Sequence, residues 1–142
     1  NCGPYNNDTY LLFDEFQIGI AFKKIDQDFY LILDSLKKEF SLAKDDQVQI
    51  LYTTKEIETY DIVKNGVFKS KDEDGVRNQT AVKINLDNFK SLMIFDIRKI
   101  RYRKIKTDEN FDFQLNDSDS SAIKQMAINL YDCSENTLAS LN

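Results

Sequence analysis

Apolar and polar residues alternate along much of this chain, with a period of two more often than one near four. Within Tyr10–Lys24, Ile18, Ile20 and Phe22 fall on one side and Gln17, Gly19 and Ala21 on the other. That alternation predicts a half-buried strand. Val48, Ile50 and Tyr52 repeat it, and a strand over about 57–64 leads into Asn65-Gly66. Asn-Gly suits the positive φ angles of a type I′ turn, so a hairpin with Val67–Ser70 as the return strand is expected. Lys71–Asn78 reads as a charged loop with a second turn at Asp74-Gly75. Val82, Ile84 and Leu86 alternate again, as do Phe111, Phe113 and Leu115.

Two segments carry a helical period. From Asp26 to Ala43, Phe29, Leu33, Leu36 and Phe40 recur at spacings of four, three and four, with Ile25 and Ile32 beside them. Asp26 suits an N-cap, and Ile25 with Tyr30 suits a hydrophobic staple. A last helix is expected over about 121–132, with Ile123, Met126, Ala127 and Leu130 on one face and Cys133 continuing it. Phe89–Lys106 fits either period; its β-type residues favour a strand from Leu92 to Lys106, broken near Asp96. Asn1–Thr9 reads as a tether or surface loop and Ser134–Asn142 as a C-terminal tail. The sum is one α+β domain over 10–133: a mainly antiparallel sheet of about 6–7 strands with two helices, at about 26–43 and 121–132.

Composition narrows the chemistry. At 142 residues the chain suits one domain with a real core, and 10 Phe and 7 Tyr make that core aromatic. There is no histidine and there are two cysteines. A Cys–His nucleophile pair and a zinc site of the usual four N/S ligands therefore cannot be assembled within one chain. Neither a Gly-rich phosphate loop nor a nucleophile elbow occurs. The expectation is a protein without catalytic, cofactor or metal chemistry. A net charge of −5 gives no general pull toward nucleic acid.

Cys2 and Cys133 leave three readings open. They join in a disulfide, which in the chain-entropy model stabilises by about 4–5 kcal/mol and needs an oxidising compartment. Cys2 carries a lipid. Or both are free thiols, with Cys133 a small buried hydrophobe. A start at Asn1 rather than Met leads us to expect that an upstream segment has been removed. Asn1-Cys2-Gly3 followed by Pro4-Tyr5-Asn6-Asn7-Asp8 resembles the mature start of bacterial surface lipoproteins of the spirochaete kind. The resemblance implies a lipid anchor at Cys2 and the cell envelope as location; it covers about eight residues and says nothing of the folded domain. Separately, Val82–Leu86, the basic segment that follows, Phe111–Leu115 and a helix over 122–130 resemble the closing strands and C-terminal helix of pleckstrin-homology-like domains.

The densest basic segment is Arg98, Lys99, Arg101, Arg103, Lys104 and Lys106. In a strand, Lys99, Arg101 and Arg103 share a face and Tyr102 interleaves, which makes these four the candidate partner-binding residues. The plainer reading is a solvated strand face neutralised by Asp108-Glu109 and Asp117–Asp119. Asn7, Asn78 and Asn116 head Asn-x-Ser/Thr sequons in expected loops or element ends. The acidic runs Asp72-Glu73-Asp74 and Asp117-Ser118-Asp119 lack EF-hand spacing and read as loop solvation or helix capping. The function expected is a non-enzymatic exported or envelope-anchored module that binds a protein or anionic glycan partner. The alternative is a cytosolic acidic interaction protein of the immunity-protein kind, masking a basic partner.

Overall fold

In the first third of the chain, alternation prevails over helical period. A computed structural model describes residues 10–13, 18–35, 42–62, 68–72 and 75–141, with side chains over 18–35, 42–62 and 80–135. Tyr10–Phe13 (β1) and Ile18–Ile25 (β2) pair antiparallel, so the single strand expected over 10–24 is two. The helix expected over 26–43 is absent from its described part: Asp28–Ser35 is a strand (β3). The continuous apolar run Phe29–Leu33 satisfies both periods, and period alone cannot tell a buried strand from a helix segment there. Pairing decides it, since β3 bonds β2 on one side and Gly75–Ile84 (β7) on the other. Asp26 does not cap a helix. It holds φ 56° in the two-residue turn closed by the Ile25–Asp28 pair, a left-handed angle that Asp tolerates. Leu36 and Phe40 lie outside the described residues.

Gln47–Tyr52 (β4) and Ile57–Asp61 (β5) form a hairpin, and Phe68–Asp72 (β6) forms another with β7. β5 and β6 thus belong to different sheets, so the hairpin expected across Asn65-Gly66 does not form; that dipeptide itself lies outside the described residues. Most of the charged loop expected over 71–78 is strand, with Asp72 paired to Gly75. Leu86–Ile94 is a helix (α1), started by Asn85, whose Oδ1 accepts from the Asn88 N–H at 2.8 Å. The strand expected from Leu92 begins only at Ile97 and runs to Lys104 (β8). Glu109–Gln114 (β9) follows, then Asp117–Leu141 (α2). α2 starts four residues earlier than expected because Asn116 and Asp119 form a reciprocal cap: the Asp119 N–H donates to Asn116 Oδ1 at 2.7 Å and the Asn116 N–H to Asp119 Oδ2 at 3.4 Å.

The strand order is β1-β2-β3-β7-β6 in one sheet and β5-β4-β8-β9 in the other, antiparallel throughout. The class is α+β, with two helices. All seven strands expected are present; splitting the first and converting the first helix brings the total to nine among the described residues. α1 also interrupts the strand succession that resembled a pleckstrin-homology-like domain.

One cluster of buried residues runs through both sheets and both helices. Phe89 of α1 stacks on Phe29 at 4.1 Å and meets Phe22 edge-on at 5.6 Å. On α2, Ile123, Ala127, Leu130 and Ser134 are buried at spacings of four, three and four. Ser134 accepts a hydrogen bond from the buried Lys24 Nζ, which lies 5.2 Å from the Phe29 ring centre. The expected tail from Ser134 is therefore helical to Leu141, its stripe held by β2. No helix among the described residues is long and apolar enough to cross a membrane.

Candidate functional site

The basic segment becomes β8, an interior strand of the four-stranded sheet, and alternation sorts its side chains. Ile100 and Tyr102 point into the core; Lys99, Arg101 and Arg103 stand half-buried on the outward face. Register then builds three outward rows of four across the sheet. Asp61, Gln47, Arg103 and Asn110 form the first, Thr59, Gln49, Arg101 and Asp112 the second, and Ile57, Leu51, Lys99 and Gln114 the third. The face holds three cations, two carboxylates and no aromatic ring.

Its cations are not equivalent. Arg101 grips Asp112 with two bonds, Nε to Oδ1 at 2.6 Å and Nη2 to Oδ2 at 2.9 Å. The guanidinium hydrogen bond, outweighing a small cost of burial, holds the Asp112 carboxyl below its ordinary range and raises Arg101 in return. Lys99 Nζ reaches the same Asp112 Oδ2 at 3.5 Å. Among the described residues Arg103 meets a neutral group: its Nη1 donates to Gln47 Oε1 at 3.1 Å, and Gln47 Nε2 donates to Asp61 Oδ1 at 2.8 Å. Among the described residues, the carboxylate that meets Lys99 and Arg101 is Asp112, on the neighbouring strand. Beside the cations lies a depression of about 40 Å³, lined by Gln49, Leu51, Ile57, Lys99 and Arg101. Ile57 is 59 % exposed there.

One end of the face is braced by Asp46, which is buried. Its Oδ1 accepts from the Ile105 N–H at 3.1 Å and its Oδ2 from the Ala43 N–H at 2.8 Å, tying the turn after β8 to the start of β4. Beneath the sheet, Glu58 Oε2 accepts from the Tyr60 hydroxyl at 2.5 Å and the Tyr52 hydroxyl at 3.3 Å.

Tyr102 drops out of the candidate set. It is 2 % exposed, packs edge-on against Phe113 at 5.2 Å, and its hydroxyl has no hydrogen-bond partner among the described residues. Burial first, and then the charge of Asp34, push its ionisation well above the usual range. Cys133 is half-buried beside the α2 stripe and is not a free thiol; Cys2 lies outside the described residues. Asn78 sits inside β7, paired to Ser35 and Lys69, rather than in a loop, and Asn116 is the α2 cap. Asn7 and most of the Asp72-Glu73-Asp74 run lie outside the described residues.

The residues that the sequence reading missed are Asp112, Gln47, Gln49, Leu51 and Ile57. Alternation in Phe111-Asp112-Phe113 does place Asp112 opposite the two rings. Its meeting with Arg101 depends on the β8–β9 register, which no local pattern carries. Comparison with protein-family models, characterised proteins and solved structures finds no match.

Proposed function

We propose that this chain is an exported binding module, without catalysis of its own, that docks a protein partner on the outward face of its four-stranded sheet. The observation that carries the reading is the row Lys99, Arg101 and Arg103 on a protein of net charge −5, with one of the three cationic groups meeting an amide and no carboxylate among the described residues. Exposed Ile57 and half-buried Leu51 beside the row add apolar contact area. The overall negative charge keeps densely charged nucleic acid away, while a local cationic strip acts within a Debye length of about 8–10 Å.

Export rests on the cysteines. Cys133 is engaged, and the only other cysteine in the sequence is Cys2. A Cys2–Cys133 bridge needs an oxidising compartment. It also excludes the lipid anchor at Cys2 that the N-terminal resemblance implies, so the secreted form of the reading is preferred to the anchored one. Intact mass of the native protein without reductant tests this: the bridged chain is two hydrogens lighter than the dithiol. A lipid adduct on Cys2 or two free thiols would overturn the bridge.

The docking face is tested by a photo-crosslinker at position 49 of the full chain, with position 83, on the outward face of the other sheet, as control. A discrete crosslinked protein is expected from position 49 and not from 83. The same adducts from both positions, or none from 49, would sink the docking reading.

A further inference from the structure

We infer that the docking face recognises carboxylate side chains of an extended acidic segment of its partner, with Arg103 as the anchoring fork and Asp112 as a built-in competitor that occupies Arg101. The inference rests on the docking reading above and names the chemistry of its occupant.

The face already contains an example of the contact. Arg101 holds both oxygens of Asp112 in a side-on fork at 2.6 and 2.9 Å. Arg103 stands on the same side of the same strand, two residues on, with one N–H given to the Gln47 carbonyl and no carboxylate in contact among the described residues. A guanidinium has five N–H donors, so a fork remains open to an incoming carboxylate. Lys99, two residues to the other side, shares Asp112 at 3.5 Å and is the weaker second site.

Spacing identifies the shape of the occupant. Outward residues on β8 recur at about 7 Å, the repeat of alternate side chains in any extended chain. An extended peptide lying along β8 with acidic residues at every second position therefore meets the cations in register. The floor argues in the same direction. Leu51, Ile57 and Gln49 offer aliphatic and amide surface beside the cations, around a depression of about 40 Å³. No aromatic side chain faces outward in the three rows, so a sugar or a base finds no stacking platform. A peptide fits this surface better than a sulfated glycan or single-stranded nucleic acid does.

The test uses the full chain and three labelled probes at low salt: a peptide alternating Glu with Ser, a heparin fragment of similar net charge, and the peptide with Gln for Glu. The alternating acidic peptide should bind, the Gln peptide should not, and heparin should bind no better than the acidic peptide. Asp112→Asn, which releases Arg101, should tighten the acidic peptide by about two- to fivefold, the span expected for an exposed ion pair. Arg103→Gln should weaken it by a similar factor, and Arg103→Lys should not restore it. Melting temperatures of the variants identify any loss due to misfolding, and the gain in Asp112→Asn cannot arise that way. Tighter binding of heparin, or an unchanged affinity in Asp112→Asn, would overturn the inference. Crosslinking from position 49 that persists in Arg103→Gln together with such a result would leave the docking reading standing and the carboxylate reading refuted.

Discussion

The inward and outward faces of the four-stranded sheet are made from the same four strands under opposite constraints. Inward, Val48, Ile50, Ile100 and Phe113 are buried, and the one carboxylate in their rows, Glu58, is met by two phenol hydroxyls. Outward, amides, cations and carboxylates pair with one another. A buried polar atom without a partner costs free energy, whereas an exposed one does not. Folding therefore dictates the inward face nearly residue by residue and leaves the outward face free for another selection to set. That freedom is the ground on which we propose the row of three cations there as a binding surface.

Truncating each face gives the largest contrast. Ile100→Ala removes a fully buried side chain from the middle of the sheet and should cost about 2–5 kcal/mol in urea unfolding. Gln49→Ala, on the adjoining strand but facing outward, should change stability by no more than about 0.5 kcal/mol. Similar costs at the two positions would mean that the outward face is structural and would remove the argument for docking.

The alternating strands β4, β8 and β9 were legible in the sequence because one face of each is buried and the other solvated, which leaves a period-two trace. β3 was not, because Phe29–Leu33 is apolar on both sides. Its outward Tyr30 and Ile32 are themselves half-buried, and the run mimics a helix stripe until its neighbours are known. The outward row of the candidate site was readable as far as Lys99, Arg101 and Arg103, since those lie on one strand. The partnership of Arg101 with Asp112, and of Arg103 with Gln47 across 56 residues, depends on register between strands. Tyr102 illustrates the same limit: adjacency in sequence suggested an aromatic among cations, but the pleat sends it to the other face.

The tyrosines beneath the sheet sharpen the inward half of the comparison. Tyr60→Phe removes a charge-assisted bond to Glu58 and should destabilise by about 1–2 kcal/mol. Tyr102→Phe removes a buried hydroxyl that has no hydrogen-bond partner among the described residues and should be neutral or stabilising by up to about 1 kcal/mol. Burial, then the hydrogen bond and charge of Glu58, push Tyr60 above the ordinary phenol value of 10.0; burial followed by the Glu58 charge does the same to Tyr52. In the unfolded chain these phenols ionise near 10, while in the fold they stay neutral. Their contribution to stability is full below that pH and declines above it. Phenolate absorbance should accordingly show these tyrosines and Tyr102 ionising only as the fold melts in alkali. Ionisation of every tyrosine near pH 10 with circular dichroism unchanged would show that the inward hydroxyls are not held as described.

The smallest effect lies outward, at Arg101 and Asp112. Their side chains are about one-third exposed, so Asp112→Asn should cost less than about 1 kcal/mol at neutral pH and less still at high salt. The Asp112 carboxyl is depressed by its hydrogen bond to Arg101, so its contribution is present above the ordinary value of 3.8 and disappears as pH falls through the lower, folded value. The unfolding free energies of the parent and Asp112→Asn should thus differ slightly at pH 7 and converge in stronger acid. The same substitution is expected to tighten an acidic peptide at pH 7. A residue whose removal slightly loosens the fold while improving binding is holding a cation in reserve, and a purely structural ion pair would show the loss without the gain.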